Sequence, residues 1–172
     1  SLPRISIVFF TLTLFSCNSS DVKRDANNDV FSKKVEYVNV DSDLERDFVS
    51  ATTLMQQERF DEAITVLKSV VDREQRLPAP YVNLAIAYNK IGDKENAEKN
   101  LINALKLDIT HPTANNELGL LYRQAGKFNA ARTAYENAIR EHAGYLPAKR
   151  NLGVLCDLYM RDYGCALEQF ES

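Results

Sequence analysis

Ala63, Ala97 and Ala131 stand 34 residues apart in similar surroundings. A recurrence at this interval means that one supersecondary unit is repeated along the chain, because a single irregular core has no reason to repeat. The rest of the unit repeats with it. In the first half of the unit, Tyr81, Leu84, Ala85 and Tyr88 recur as Asn115, Leu118, Gly119 and Tyr122, then as Lys149, Leu152, Gly153 and Cys156. In the second half, Ala63, Leu67 and Val70 recur as Ala97, Leu101 and Ala104, then as Ala131, Tyr135 and Ala138. Steps of three and four residues place each set on one face of a helix. Each unit is therefore expected to be a helical hairpin, with Ala or Gly at the crossing so that the two axes approach closely and Leu or Tyr one turn away. Such a hairpin leaves an apolar stripe uncovered until the next one stacks on it, so stability is a sum over neighbours.

Punctuation follows the same interval. Gly92 and Gly126 fall in the turns inside the hairpins, and Pro80, Pro112 and Pro147 fall near the starts of units, where a missing amide hydrogen is tolerated. The expected fold is all-α, a right-handed α-solenoid of four units at 44–77, 78–111, 112–145 and 146–172. The outer two depart from the pattern. The first lacks the early Tyr and the turn Gly. The fourth carries one extra residue, since Ala166 stands where a strict step of 34 would put Cys165. It ends inside its second helix without the polar capping helix that solenoids carry, which points to a truncated chain or to a partner on that face.

This code resembles that of the tetratricopeptide repeat (TPR), and the likeness covers about three quarters of the chain. It implies a protein that binds other proteins and catalyses nothing. It also implies that the first helix of each unit lines a concave face, which by offset would carry Phe48, Thr52 and Met55, then Val82, Ile86 and Asn89, then Asn116, Leu120 and Arg123, then Arg150, Val154 and Asp157. The stripe is apolar with amides and Arg at its margins, a surface suited to an extended or helical peptide. The alternative is that much of it packs against the second helices. Asn83, Asn116, Arg123 and Arg150 are a weak echo of the carboxylate clamp of chaperone-binding TPR domains, at different spacing.

Residues 1–17 differ from the rest, with Arg4, an apolar and hydroxyl run from Ile5 to Phe15, then Ser16 and Cys17. The run is about half the roughly 20 residues that span a bilayer, so it reads as an export signal. Leu14-Phe15-Ser16-Cys17 resembles the lipobox of bacterial lipoproteins, with Phe15 departing from the usual small residue. That likeness implies lipidation at Cys17. Simple cleavage and a retained anchor are the alternatives. Asn18 rather than Asp after the Cys is similar to outer-membrane forms facing the periplasm; a soluble periplasmic protein is the other expectation. Residues 18–43 are mostly polar and read as a tether. Val35, Tyr37, Val38 and Val40 offer a short extended segment against the first hairpin as a lesser reading.

Lipobox, tether and repeats together look like the small periplasmic TPR lipoproteins that serve type IV pilus secretins, peptidoglycan machinery or TonB-type systems. The expected partner is a protein or peptide of such an envelope complex. A lost catalytic domain, with these repeats as its appendage, and self-association through the fourth unit are rival readings. Net charge is −3 with a pI of about 5.5, which argues against phosphate-tracking nucleic-acid binding. No nucleophile with a base, phosphate-cradling Gly-rich loop or helical His pair is present, so no cofactor is expected. His111 and His142 lie near helix ends in different units without ligand spacing, and no metal site is expected. Cys156 and Cys165 would face each other across the fourth hairpin. A disulfide and two separate buried thiols are both open readings.

Overall fold

The computed structural model describes residues 42–171, and these form eight α-helices. Residues 1–41, including Cys17, the export-signal run and nearly all of the polar tether, lie outside the described part. The helices pair in order as hairpins: α1 (Ser42–Gln56) with α2 (Phe60–Arg73), α3 (Pro78–Lys90) with α4 (Lys94–Leu107), α5 (Pro112–Gln124) with α6 (Phe128–Arg140), and α7 (Leu146–Val154) with α8 (Tyr163–Glu171). Each hairpin packs on the next, which makes the domain an α-solenoid. Among the described residues there is no strand, and no helix is long and apolar enough to cross a membrane.

The small residues of the repeat sit at the crossings. Ala63, Ala97 and Ala131 are completely buried, and Ala166 is nearly so. Pro78 and Pro112 open α3 and α5, and Pro147 lies in the first turn of α7. Side chains cap three of the helix starts, those of α4, α5 and α8. The Asp93 carboxylate accepts from the Asn96 amide at 3.0 Å, and these hydrogen bonds hold its pKa below the usual carboxylate range. His111 Nδ1 accepts from the Ala114 amide at 3.3 Å. Asp162 Oδ1 accepts from the Cys165 amide at 3.1 Å and its other oxygen takes Arg132 at 2.9 Å, which ties α8 to α6.

Each hairpin turn needs one left-handed residue. Gly92 and Gly126 supply it in the second and third units, with φ of 88° and 72°. Glu58 and Arg161 take the same conformation in the outer units, at 60° and 55°. A side chain there costs about 1–2 kcal/mol, so the outer turns are the weaker ones.

The extra residue of the fourth unit is absorbed in a π-helical turn, Leu155–Met160, that continues α7. In the first three turns an amide reaches back five residues to a carbonyl: Arg59 to Leu54, Asp93 to Tyr88 and Lys127 to Tyr122. In the fourth it reaches back six, from Asp162 to Cys156 at 2.8 Å. A π turn widens the helix by one residue without breaking it, which returns Ala166 to the crossing position. Cys156 lies in this turn and Cys165 opens α8. The two sulfurs are joined as a disulfide with Cα atoms 5.9 Å apart.

A size rule links the two halves of each unit. At the repeat positions where the first two units carry Ala51 with Leu67 and Ala85 with Leu101, the third and fourth carry Gly119 facing Tyr135 and Gly153 facing Phe170. A Cβ on Gly119 would lie 2.5 Å from the Tyr135 ring, and one on Gly153 would lie 2.6 Å from the Phe170 ring. The larger partner is accommodated by removing the methyl opposite.

Candidate functional site

The first helices α1, α3, α5 and α7 lie side by side along the stack, so their free faces form one continuous surface. Two hydrogen bonds stitch α5 to α7 and its approach: Asn151 Nδ2 donates to Asn116 Oδ1 at 2.8 Å, and the Tyr145 hydroxyl meets Thr113 Oγ1 at 3.3 Å. Rigidity here comes from side chains buried between repeats, which favours a preformed surface over one that orders on binding.

The twelve residues that the offsets place on this face divide into two groups. Phe48, Thr52, Met55, Ile86, Asn89, Leu120, Arg123, Val154 and Asp157 are half-buried, and Arg150 is exposed. Val82 and Asn116 are buried, at 3% and 4% exposure. Val82 belongs to the main core. Asn116 spends its amide on Glu117 and its carbonyl on Asn151. Phe48, Met55 and Ile86 pack partly against the core while keeping an open edge, and Leu120 does the same against the second cluster around Tyr135. The guanidinium of Arg123 lies 5.9 Å over the Tyr159 ring, so it is held toward the fourth unit. Tyr159 in turn meets Phe128 with centroids 5.1 Å apart.

Between Asn116 and Tyr135 the surface has a polar floor. Burial raises the Glu117 carboxyl above its ordinary pKa, opposed by the Asn116 amide and by Lys90 on α3. The Tyr135 ring is completely buried, and its hydroxyl has no hydrogen-bond partner among the described residues. Burial pushes that hydroxyl up to about 12. A tyrosine in an unfolded chain loses its proton near pH 10, so above that pH the unfolded state binds fewer protons and is favoured. Stability is expected to fall by about 1.4 kcal/mol per pH unit between pH 10 and 12 on this account. Chemical denaturation of the native protein and of Tyr135→Phe across that range checks it: the variant should show a shallower slope, the remainder coming from Tyr122 and Lys68, which are raised in the same sense.

At the end of the stripe nearest α1, an apolar cavity of about 420 Å³ opens beside Phe48. Its other walls are Leu44, Val70 and the Leu77-Pro78-Ala79-Pro80 entrance to α3, with Glu45 at the rim. Offsets within one first helix miss this notch because half of its lining is Leu77 and the first turn of the next unit's α3. The paired prolines are the signal that would have found it, since they leave two positions of that first helical turn without amide donors. A second depression of about 510 Å³ lies between α2 and α4, but its walls are mixed Lys, Asp and Asn over Tyr81 and Tyr88, with Lys68 already lying 5.7 Å from the Tyr88 ring.

Cys156, Asp162 and Cys165 bring three ligand-type atoms within 4.8 Å of one another. With the sulfurs joined, the thiolates that a metal would need do not exist.

The family model described as tetratricopeptide repeat matches residues 82–145 and again 116–157. Among solved structures, MamA aligns 74% of this chain with 73% of its own at 27% identity and a TM-score of 0.64. PilF of Pseudomonas aeruginosa aligns 74% of this chain with 58% of its own at 17% identity and a TM-score of 0.68. The first TPR of Spaghetti (RPAP3), bound to the HSP90 peptide SRMEEVD, aligns 70% with 96% at 21% identity and 0.63. The last two likenesses are of fold. No curated protein matches the sequence.

Proposed function

The chain is built of tetratricopeptide repeats, and from that premise we propose that it is a non-catalytic scaffold that holds a protein segment along its first-helix face. TPR domains bind peptides or proteins, and the observation that carries the reading here is the row Phe48, Met55, Ile86, Leu120 and Val154. Phe48, Met55, Ile86 and Leu120 pack against the core clusters and, like Val154, remain half-buried with one edge open. An apolar row with Asn89, Arg123, Arg150 and Asp157 beside it suits a segment with apolar residues at helical or extended spacing and charges of both signs between them. The notch beside Phe48 would take one large apolar anchor of that segment.

The proposal extends to place. The Ile5–Phe15 run and the lipobox-like Ser16-Cys17 support export and anchoring through Cys17, with residues 18–43 as the spacer. Anchoring confines the groove to a surface and raises its effective concentration toward an envelope complex, of the pilus secretin, TonB or peptidoglycan kind. Crosslinking in the cell envelope tests the groove. Leu120→Asp combined with Arg123→Glu and Arg150→Glu is expected to reduce the main adduct by at least about tenfold, the loss of one or two interface anchors. An unchanged adduct from a variant that keeps its helical content would rule the groove out.

A further inference from the structure

We propose that Glu117, in the middle of the first-helix face, is where the held segment places a basic side chain, a lysine or an arginine. This rests on the reading of that face as a groove for a protein segment, and adds the sign of the charge that the groove takes at this point.

One residue beyond Phe48, Val82, Asn116 and Arg150, the repeat offset gives a second row of Val49, Asn83, Glu117 and Asn151 on α1, α3, α5 and α7. The last three are half-buried, and Glu117 carries the only charge of the row. It lies inside the stack, since α5 has α3 on one side and α7 on the other. Its carboxyl accepts from Asn116 Nδ2 at 3.2 Å. Among the described residues no ion pair reaches it. Lys90 on α3 acts on it from a distance and less strongly than burial or the Asn116 bond. Arg123, on the same helix, is held toward the Tyr159 ring. The Tyr135 hydroxyl, which feels the charges of Arg123 and Glu117, is itself buried without a hydrogen-bond partner among the described residues.

Folding does not account for this charge. The Asn116 amide needs an acceptor, because its carbonyl is taken by Asn151 across the repeat boundary at 2.8 Å. A glutamine oxygen would accept the same bond without drawing a charge out of water. A carboxylate that burial drives toward its neutral form, with no counter-ion in contact, is a cost to the domain on its own. A cation brought by a partner reverses that balance. Desolvation of the carboxylate is largely complete before binding, and the charge-assisted bond forms where water screens it less. Leu120, three residues on and on the same face, offers apolar contact to the methylene stem of a lysine or arginine. An acidic residue at this point of the segment would instead meet like charge.

Selection from a pool of random short peptides by the immobilised full chain tests this. The peptides recovered are expected to share a Lys or Arg at one position. Replacing that residue by Met should weaken binding to the native chain at least about tenfold, but change binding to Glu117→Gln by less than about twofold. Glu117→Gln should match or exceed the native chain in urea stability, and Glu117→Lys should turn the selection toward Asp or Glu at the same position. Peptides that lose binding in Leu120→Asp yet share no basic residue, or whose basic residue matters equally to Glu117→Gln, overturn this inference and leave the groove standing. A Glu117→Gln domain less stable than the native one would assign the charge to folding and overturn it too. A pool that yields no binder dependent on Leu120 overturns the groove and the inference with it.

Discussion

Gly119→Ala is expected to destabilise the domain by about 2 kcal/mol, whereas Gly153→Ala should cost almost nothing. The two glycines hold the same place in successive repeats, and the methyl of each alanine would fall on an aromatic ring at nearly the same distance, 2.5 Å and 2.6 Å. What differs is whether the ring can move. Tyr135 is completely enclosed, and an added carbon in a filled core costs about 1–3 kcal/mol or more when neighbours have no room. With the clash at the top of that range, about 3 kcal/mol for an enclosed ring, and about 1 kcal/mol of helix propensity recovered by alanine, the net loss at Gly119 is about 2 kcal/mol. Phe170 is more than half exposed and can swing aside, so there the propensity gain offsets the contact. Adding Tyr135→Leu to Gly119→Ala recreates the Ala and Leu pairing of the first two units. Urea denaturation of the native protein, Gly119→Ala, Tyr135→Leu and the double variant should give a coupling energy between positions 119 and 135 of at least about 1.5 kcal/mol. No loss at Gly119 would contradict the size rule, and equal losses at the two glycines would mean that Phe170 cannot swing aside.

Reducing the Cys156–Cys165 disulfide is expected to cost about 2–3 kcal/mol, the loop-closure value for a crosslink of short span, here a sequence separation of nine residues. The loss should be local. In a stack stabilised by nearest neighbours, the fourth unit has one neighbour within the described residues, and its helices α7 and α8 are the shortest. Hydrogen exchange with and without reductant is the measurement. Amides of α7, the π turn and α8 should lose protection on reduction, while those of α3 and α4 keep theirs. Loss spread evenly over all eight helices would mean that the domain unfolds as one unit.

Much of this architecture is legible in the sequence because the features that decide it are periodic. Ala63, Ala97 and Ala131 mark the crossings, and prolines and glycines mark the boundaries. The extra residue before Ala166 shows in the alignment, but the place that absorbs it does not, since a π turn depends on which carbonyl the returning amide finds. Asn115 occupies a position that wants a large residue. Its amide instead bonds the carbonyls of Ile109 at 2.9 Å and His111 at 3.2 Å, so it secures the connection between units. That role comes from the loop fold and leaves no periodic trace. Cysteine spacing leaves the pairing open, because small rotations of two helices decide whether sulfurs meet.

The candidate site is less legible for a related reason. Counting offsets places residues on a face of a helix but says nothing about how far that helix is turned toward its neighbour. Val82 and Asn116 fall on the expected face and are nonetheless buried, one by the core and one by Asn151 across the repeat boundary. Arg123 lies where expected, and its engagement with Tyr159 depends on the neighbouring unit's π turn. The notch beside Phe48 depends on how the first turn of α3 meets α1, which a count along one helix does not describe.

On the proposed function, partners are held along the first helices and not on the backs of the hairpins. A photo-crosslinking residue at Ile86 on α3, compared with one at Ile102 on α4, tests it in the intact envelope. Both sites are partly exposed, so reactivity alone should not separate them. The account predicts one discrete adduct from position 86, lost in Leu120→Asp, and none of that size from position 102. Equal adducts from the two positions, or an adduct only from position 102, would contradict it.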